Sequence, residues 1–352
     1  MPDRLMPYED ALAWVNEVTP QHLLVGNGFS MALDPSRFSY GALATKAEGE
    51  GLLPELAIDV MRSLGTADFE SAMRALRSAV LVLKALNEPS FAGTVDLLNR
   101  TESELKDALA RSIAGLHPDR PYDLAESRYR SVRRFLGSFR RIYSVNYDLL
   151  LYWALMQEIE DQPISHPSRA HDDGFRDPGR ESETVVWDVY DPFSQTVFYL
   201  HGALHLFEGE GGLHKITWVR TQEALIDQVR AQLEANRFPL YVAESASLEK
   251  LTRINESGYL SRALRSLASI GGGLVVYGHS LDPNDDHVFE AVVRSNVQRM
   301  AVSIYGDAGS VTNQTIIERA KRLASMRVGS DLELAFYSAE SVHLWEQVDP
   351  GV

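Results

Sequence analysis

Residues 22–30 read HLLVGNGFS, an apolar run that ends in a glycine-rich turn. The run is continuous rather than alternating, which is typical of a strand buried on both faces of a parallel sheet. Glycines at such a turn let the backbone approach a phosphate, and the helix after it presents free N–H groups to the ligand. The stretch predicts a strand and a nucleotide-binding turn. An ordinary glycine-rich turn is the alternative, because Met31 stands where the dehydrogenase fingerprint has its third glycine.

Three later apolar runs also end in polar or glycine residues. Val145 precedes Asn146, Leu200 precedes His201, and Tyr277 precedes Gly278. In open α/β sheets, ligands bind at the carboxyl ends of the strands. We therefore expect the four turns to line one crevice, although each turn alone is a weak signal.

Between the first two runs, apolar residues recur at spacings of three and four, as in Phe69, Met73, Leu76 and Val80. This spacing indicates helices with one buried face. Further along, strands and helices alternate, which predicts a parallel sheet with helices on both faces. The predicted fold is α/β: a Rossmann-like domain formed by residues 1–40 and 137–352, with a helical insertion over residues 41–136.

The second half of the chain carries finer predictions. Residues 247–267 are expected to form one continuous helix. A helix over residues 284–297 is expected to precede a strand over residues 300–305. Residues 161–183, rich in Pro, Gly, Asp and His, are predicted to be a loop.

Composition restricts the class of partner. The chain has 352 residues, no cysteine and a formal net charge of −15. Nucleic acids and anionic membranes need clustered Lys and Arg, so neither is an expected partner, and the arginines of residues 128–141 are interpreted as a solvated helix face. The lack of cysteine excludes disulfides, thiolate nucleophiles and cysteine zinc sites. Because the chain shows neither a membrane-length apolar run nor a signal-peptide core, we expect a cytoplasmic protein.

Side chains at two of the predicted strand ends are candidates for chemistry. Asn146 has no titratable group, so it would position a ribose hydroxyl or a water. Asp148 either caps the following helix or contacts a ligand. His201 is a candidate proton acceptor near neutral pH, and Gly202 would leave space beside it. His205 makes a His-x-x-x-His spacing with His201, but the segment is predicted to be strand and turn, so no metal is expected.

The turn after the fourth run contains small residues that suit contact with phosphates or ribose, namely Gly278 and Ser280. Asp282, Asp285 and His287 follow. Acidic residues in the first turn of a helix interact favourably with its dipole, so capping accounts for them without any further function.

Together these motifs resemble the sirtuin-like family, and within it the zinc-free bacterial branch found in antiphage defence. GNGFS at residues 26–30 resembles the family's Gly-Ala-Gly-Ile-Ser loop, and Asn146-x-Asp148 resembles its Asn-x-Asp motif. His201-Gly202 resembles the His-Gly pair that carries the catalytic base, and residues 278–280 resemble the Gly-Thr-Ser motif. The four motifs occur in the family's order and span most of the chain.

The resemblance implies that NAD is a substrate, hydrolysed to nicotinamide and ADP-ribose without a metal. Asn146, Asp148 and His201 would be the catalytic residues. The residues expected to bind NAD are Gly26, Asn27, Gly28, Phe29, Ser30, Gly278, Ser280 and Asp307. Asn27 stands in place of the loop alanine, Val145 in place of the glutamine of deacetylating sirtuins, and the zinc cysteines are absent. Protein deacetylation is therefore not expected.

The resemblance also implies a biological setting: an activatable antiphage effector that acts by abortive infection, a homo-oligomer, and a separate sensor or activator protein. Two alternatives stay open. One is a sensor that binds NAD or ADP-ribose without turnover. The other is a subunit of a larger defence complex that is silent without its partner. A dehydrogenase is disfavoured because the glycine fingerprint is incomplete.

Overall fold

The computed structural model of the protein describes residues 5–156, 171–179, 182–188, 194–244, 247–329 and 331–346. The strands, in chain order, are β1 (Gln21–Val25), β2 (Arg141–Ser144), β3 (Phe175–Arg176), β4 (Thr184–Trp187), β5 (Val197–Tyr199), β6 (Leu206–Gly209), β7 (Gly212–Ile216), β8 (Gly271–Tyr277), β9 (Asn296–Ile304) and β10 (Glu333–Ser338). Part of the loop predicted over residues 161–183 lies outside the described residues.

The helices are α1 (Tyr8–Asn16), α2 (Gly28–Met31), α3 (Pro35–Phe38), α4 (Tyr40–Gly49), α5 (Glu55–Leu64), α6 (Phe69–Leu86), α7 (Ala92–Leu116), α8 (Glu126–Leu136), α9 (Leu150–Met156), α10 (Trp218–Thr221), α11 (Leu225–Glu234), α12 (Ser247–Glu256), α13 (Gly258–Ala268), α14 (Asp286–Arg294) and α15 (Val311–Ser325). Among the described residues, no helix is both long and apolar enough to cross a membrane.

A six-stranded parallel sheet forms the centre of the molecule, with the strand order β10-β9-β8-β1-β2-β5. Counted along the chain, this is the 3-2-1-4-5-6 order of the doubly wound fold, and it confirms the predicted α/β class. Leu23, Leu24 and Val25 of β1 are all fully buried. Because successive strand residues point to opposite faces, both faces of the sheet are covered. A separate antiparallel sheet has the order β3-β4-β7-β6.

Helices α4 to α8 occupy the chain between β1 and β2, where the sequence predicts a helical insertion. Helix α7 packs against α4, α5, α6 and α11. Helix α6 begins where the Asp68 carboxylate accepts hydrogen bonds from the N–H groups of Glu70 and Ser71, both at 3.1 Å. It ends at Asn87 in the left-handed conformation. The boundaries of the insertion as a separate unit stay a prediction.

Two predicted elements differ from the structure. The continuous helix over residues 247–267 is broken at Ser257, whose hydroxyl caps α13 by accepting the N–H of Leu260 at 3.4 Å. The helix predicted to reach residue 297 ends at Arg294, and β9 already begins at Asn296. Asn296 pairs with Gly271 of the neighbouring β8. Tertiary pairing therefore overrides the local helical pattern at this position.

Candidate functional site

A cavity of about 830 Å³ opens at the carboxyl ends of the parallel strands. Residues that follow each of the six strands line it: Asn27 and Gly28 after β1, Asn146 and Asp148 after β2, His201 after β5, Gly278 and Ser280 after β8, Tyr305 after β9, and Ala339 and Glu340 after β10. Helices between β1 and β2 supply an apolar wall that includes Phe38, Leu43, Leu109 and Ile113. This volume is within the range typical of sites for small organic ligands.

The structure brings together most of the side chains singled out from the sequence. Asn27, Gly28, Asn146, Asp148, His201, Gly278 and Ser280 all line the cavity. Gly26, Phe29 and Ser30 are not among the lining residues, and Phe29 and Ser30 are fully buried. Asp307 is exposed, does not line the cavity, and accepts the N–H of Gly309 at 2.9 Å. Glu340, which follows β10, and Glu346 are acidic residues that do line the cavity.

The glycines at 28 and 278 hold two loops against each other. The N–H of Gly28 donates to the carbonyl oxygen of Gly278 at 2.8 Å. A Cβ at position 28 would lie 2.4 Å from the Cα of Gly278, which is far too close. Gly278 also has φ +66°, a conformation that favours glycine. Both glycines are therefore required for backbone contact between the ends of β1 and β8.

The sequence predicts free backbone N–H groups in this turn, but the N–H groups of three of its residues already donate hydrogen bonds. Gly28 is paired with Gly278, while the N–H groups of Phe29 and Ser30 donate to the carbonyl oxygens of Gly26 and Asn27 at 2.9 and 3.0 Å. In both bonds the acceptor lies three residues before the donor, so the turn is closed by its own backbone at the start of α2. As placed, these three amides are already satisfied, and the turn shapes the cavity wall.

Asn146, Asp148 and Ser30 form a buried hydrogen-bonded group. The Asn146 Nδ2 donates to Ser30 Oγ at 3.1 Å, and that hydroxyl donates to Asp148 Oδ2 at 2.5 Å. Asp148 Oδ1 accepts the N–H of Leu150 at 2.9 Å, which is the predicted capping contact at the start of α9. Burial raises the pKa of Asp148 above its ordinary value.

One atom of this group has no partner. Asn146 Oδ1 is buried and accepts no hydrogen bond within the described residues. An unsatisfied buried polar atom costs roughly 1–3 kcal/mol. Since Asn146 lines the cavity and is only 7% exposed, this oxygen is placed to accept a hydrogen bond from a bound ligand or water.

His201 lies beside a second histidine. Its Nε2 is 2.9 Å from Nε2 of His287, on α14, and 3.8 Å from Oδ1 of Asp285. Burial lowers the pKa of His201 well below its ordinary value, and the Asp285 carboxylate partly opposes this effect. At neutral pH His201 is therefore uncharged.

Asp285 is the centre of a buried charge cluster. Its Oδ1 accepts from Lys250 Nζ at 2.8 Å, and the same ammonium lies 2.8 Å from Oε2 of Glu70. Its Oδ2 is 3.2 Å from Nε2 of His279, whose Nδ1 accepts the N–H of Leu281 at 2.9 Å. Burial raises the pKa of Glu70, and the neighbouring ammonium holds the pKa of Asp285 low. Capping does not account for Asp285, which faces this cluster.

The family model of DUF4917, a domain of unknown function, matches residues 23–345. The chain belongs to the DUF4917 family. No curated protein matches it in sequence. Solved structures with similarity include one on the structural basis for sirtuin substrate affinity, at 14% identity and a TM-score of 0.34. Another is Sir2Tm bound to a propionylated peptide, at 13% identity and a TM-score of 0.36. In each case 91% of this chain and 98% of the other chain are covered.

Three described side chains of this DUF4917 site are of the types that bind metal ions. His201, Asp285 and His287 bring ligand-type atoms within 4.8 Å of one another. The two imidazole nitrogens already pair with each other, and Asp285 already binds the Lys250 ammonium. These contacts satisfy the donor set without an ion, so the residues present do not call for a metal. His205, the other histidine of the spacing, instead packs against the rings of Tyr152 and Tyr199.

Sequence reasoning missed two members of the DUF4917 cluster, Glu70 and Lys250, and it assigned the region of Asp285 and His287 to helix capping. Glu70 and Lys250 are charged residues on predicted helices and are 180 positions apart. Charged residues on a helix ordinarily face solvent, so the pattern carried no signal that these two are buried together. The polar density of residues 279–287 was the visible sign, and it was assigned to capping.

Proposed function

We propose that the chain binds NAD in this cavity and cleaves the bond between nicotinamide and ribose, giving nicotinamide and ADP-ribose. The observation that carries the proposal is the unpaired, buried Asn146 Oδ1, which lines the same cavity as Asp148 and His201. An acceptor oxygen, a carboxyl group and an uncharged imidazole are the groups that hydrolysis of a glycosidic bond can use.

The strand order supports a dinucleotide as the ligand. In the doubly wound fold, dinucleotides bind across the crevice where the strand order reverses. Here the reversal lies between β1 and β8, the two strands whose ends are joined by the contact of Gly28 with Gly278. On this proposal Asn27, Gly28, Gly278 and Ser280 contact the diphosphate and adenosine side. Glu340 takes the ribose-facing position that the sequence assigns to Asp307.

The reaction needs little acid catalysis, because nicotinamide in NAD is a cationic leaving group. What must be stabilised is an oxocarbenium-like ribose, together with delivery of water to it. Asn146 Oδ1 accepts a hydrogen bond from a ribose hydroxyl or from that water. Asp148, fixed by Ser30, borders the nicotinamide end of the cavity. His201 takes the proton of the attacking water.

The wider setting belongs to the same proposal and is supported by the motif resemblance. We propose a cytoplasmic antiphage effector, acting as a homo-oligomer, whose hydrolase activity is released by a separate sensor or activator protein. Deletion of a co-transcribed neighbour, followed by measurement of cellular NAD during phage infection, tests this part separately from the chemistry.

The direct test is nicotinamide release from NAD by the purified full chain, measured by chromatography. We expect Asn146→Ala and His201→Ala each to lower turnover by about 100-fold or more, the effect typical of losing a positioned catalytic group. The matched control is His22→Gln, at another buried histidine, which lies on β1 and outside the cavity lining. Equal turnover in all variants would overturn the assignment. Thermal stabilisation by NAD without nicotinamide release would indicate a binding sensor instead.

A further inference from the structure

His201 is in contact with a row of hydrogen-bonding groups that have no role in the reaction as proposed above. His287 Nε2 is 2.9 Å from His201 Nε2, and its Nδ1 is 3.1 Å from Ser247 Oγ. The same hydroxyl accepts the backbone N–H of His287 at 2.8 Å. Ser247 is the first residue of α12, and His287 lies in the first turn of α14. Two helices therefore fix the positions of these hydrogen-bonding groups.

Two imidazole nitrogens at this distance can share only one proton between them. In one arrangement Ser247 donates to His287 Nδ1, and His287 Nε2–H donates to His201. In the other, His201 Nε2–H donates to His287, and His287 Nδ1–H donates to Ser247. Both arrangements satisfy every partner, because a hydroxyl carries one proton and two lone pairs. The two arrangements differ in which nitrogen of each imidazole carries the proton, and in the direction of the hydrogen bonds between the groups.

We propose that His287 is a positioning residue for His201, and that the two imidazoles and the Ser247 hydroxyl form a relay that receives the proton released by the attacking water. This inference rests on the proposed function. In the step, the water oxygen bonds to the ribose carbon, and the carbon–nitrogen bond breaks with its electron pair leaving on nicotinamide. The water proton passes to Nδ1 of His201, which is bare in the arrangement where His201 Nε2–H donates to His287. The resulting positive charge is spread over both rings.

Other groups near the imidazoles of His201 and His287 stabilise or destabilise a positive charge on these rings. Asp285 lies 3.8 Å from His201 Nε2 and is the carboxylate that would balance the charged pair. Lys250, from α12, and His279, from the end of β8, both contact Asp285 and oppose a second positive charge. Tyr147 stacks on His201 with ring centroids 6.5 Å apart, and Glu70, from α6, binds Lys250. The Asp285 carboxylate thus favours an added proton on the pair of rings, and the Lys250 ammonium opposes it.

The kinetic test compares two substitutions of the same residue. His287→Gln keeps an amide where Nε2 stands, and therefore keeps a hydrogen bond to His201 without a titrating group. His287→Asn keeps only the contact toward Ser247. We expect both to lower kcat by about tenfold or more with KM within about twofold, and to change the acidic limb of the pH–rate profile. His22→Gln is the control. Full rescue by His287→Gln would show that orientation alone matters and would overturn the relay.

A second measurement requires no turnover. In protein labelled with ¹⁵N-histidine, long-range NMR correlations distinguish protonated from bare ring nitrogens. We expect one of the two Nε2 atoms to be protonated, and both rings to respond together as pH changes. His287→Gln should shift the His201 signals, whereas His22→Gln should not. Rings that titrate independently would overturn the inference. So would tight binding of Zn²⁺ by chelator-treated protein, lost in His287→Gln, because an ion would then occupy the shared position.

The two failures are distinguishable. If the wild-type chain releases no nicotinamide under any condition while the rings share a proton, the proposed function fails and the paired histidines stand. If NAD is cleaved normally while the rings titrate independently, the relay fails and the proposed function stands.

Discussion

Gly28 and Gly278 lie against each other where two neighbouring strands end, and neither leaves room for a side chain. A methyl group at position 28 would overlap the backbone of Gly278, which cannot move without displacing β8. The glycines therefore serve a structural purpose before any ligand is bound. The same two residues line the cavity, so the stability of the fold and the shape of the cavity both depend on them.

We expect Gly28→Ala to lower the free energy of unfolding by about 2 kcal/mol or more, the cost of overpacking a site that cannot relax. Urea unfolding followed by circular dichroism measures it. Gly41→Ala is the matched control, because nothing lies within 4 Å of its Cβ position in α4. There alanine is expected to stabilise the helix by about 0.5–1 kcal/mol. Equal effects at the two positions would contradict the loop contact.

Helix α12 contributes a buried cation, Lys250, to the charge cluster around Asp285. The Lys250 side chain is 1% exposed and binds carboxylates from α6 and from the turn before α14. Ser247, at the start of the same helix, holds His287. One helix thus fixes both the charge balance of the cluster and the partner of His201, although none of its residues lies at a strand end.

Removing the cation should be costly, because Glu70 and Asp285 would lose the ammonium that they share. We expect Lys250→Met to lower the free energy of unfolding by about 3–5 kcal/mol, as for other broken buried ion pairs. Arg253→Met on the same helix breaks an exposed pair with Glu256, and we expect a change of about 0–1 kcal/mol. Thermal or urea unfolding compares the two. Similar values would mean that the buried cluster is not maintained in solution.

Across the whole molecule, buried histidines make stability depend on pH. Burial lowers the pKa of His22, His117 and His287 to about 4. In the unfolded chain these groups titrate near 6.5, so between the two values only the unfolded state binds the protons. The stabilising contribution is complete above pH 6.5 and is lost as the pH falls toward 4.

We therefore expect the free energy of unfolding to fall steeply between pH 6.5 and 4, by roughly 3 kcal/mol for each such histidine. His117 is a suitable probe: its Nδ1 lies 2.9 Å from the Pro118 carbonyl oxygen, and its Nε2 accepts the N–H of Leu149 at 3.2 Å. His117→Gln should reduce the fall in the free energy of unfolding over this pH range by one histidine's contribution, roughly 3 kcal/mol. Unfolding curves of the wild type and this variant at several pH values measure the difference.

The strand ends show how far sequence patterns reach. Continuous apolar runs locate β1, β2 and β8 almost to the residue, because burial on both faces leaves a local signature. Parallel strands place their carboxyl ends at one edge, so Gly28, Asn146, His201 and Ser280 could be assigned to one crevice without coordinates. Asp307 fails this rule because its turn points to solvent, while Glu340 from the next strand lines the cavity.

Sequence alone determined the α/β class, the order of the strand ends and the side chains that follow them, since each depends on a local pattern of apolar and glycine residues. Only the tertiary structure decided that Lys250, Asp285 and His287 meet beside His201, and that the predicted amide donors of the glycine turn are already paired. The contacts among Lys250, Asp285, His287 and His201 join separate helices and strands, so they depend on how these elements are arranged around the sheet. No local pattern encodes that geometry.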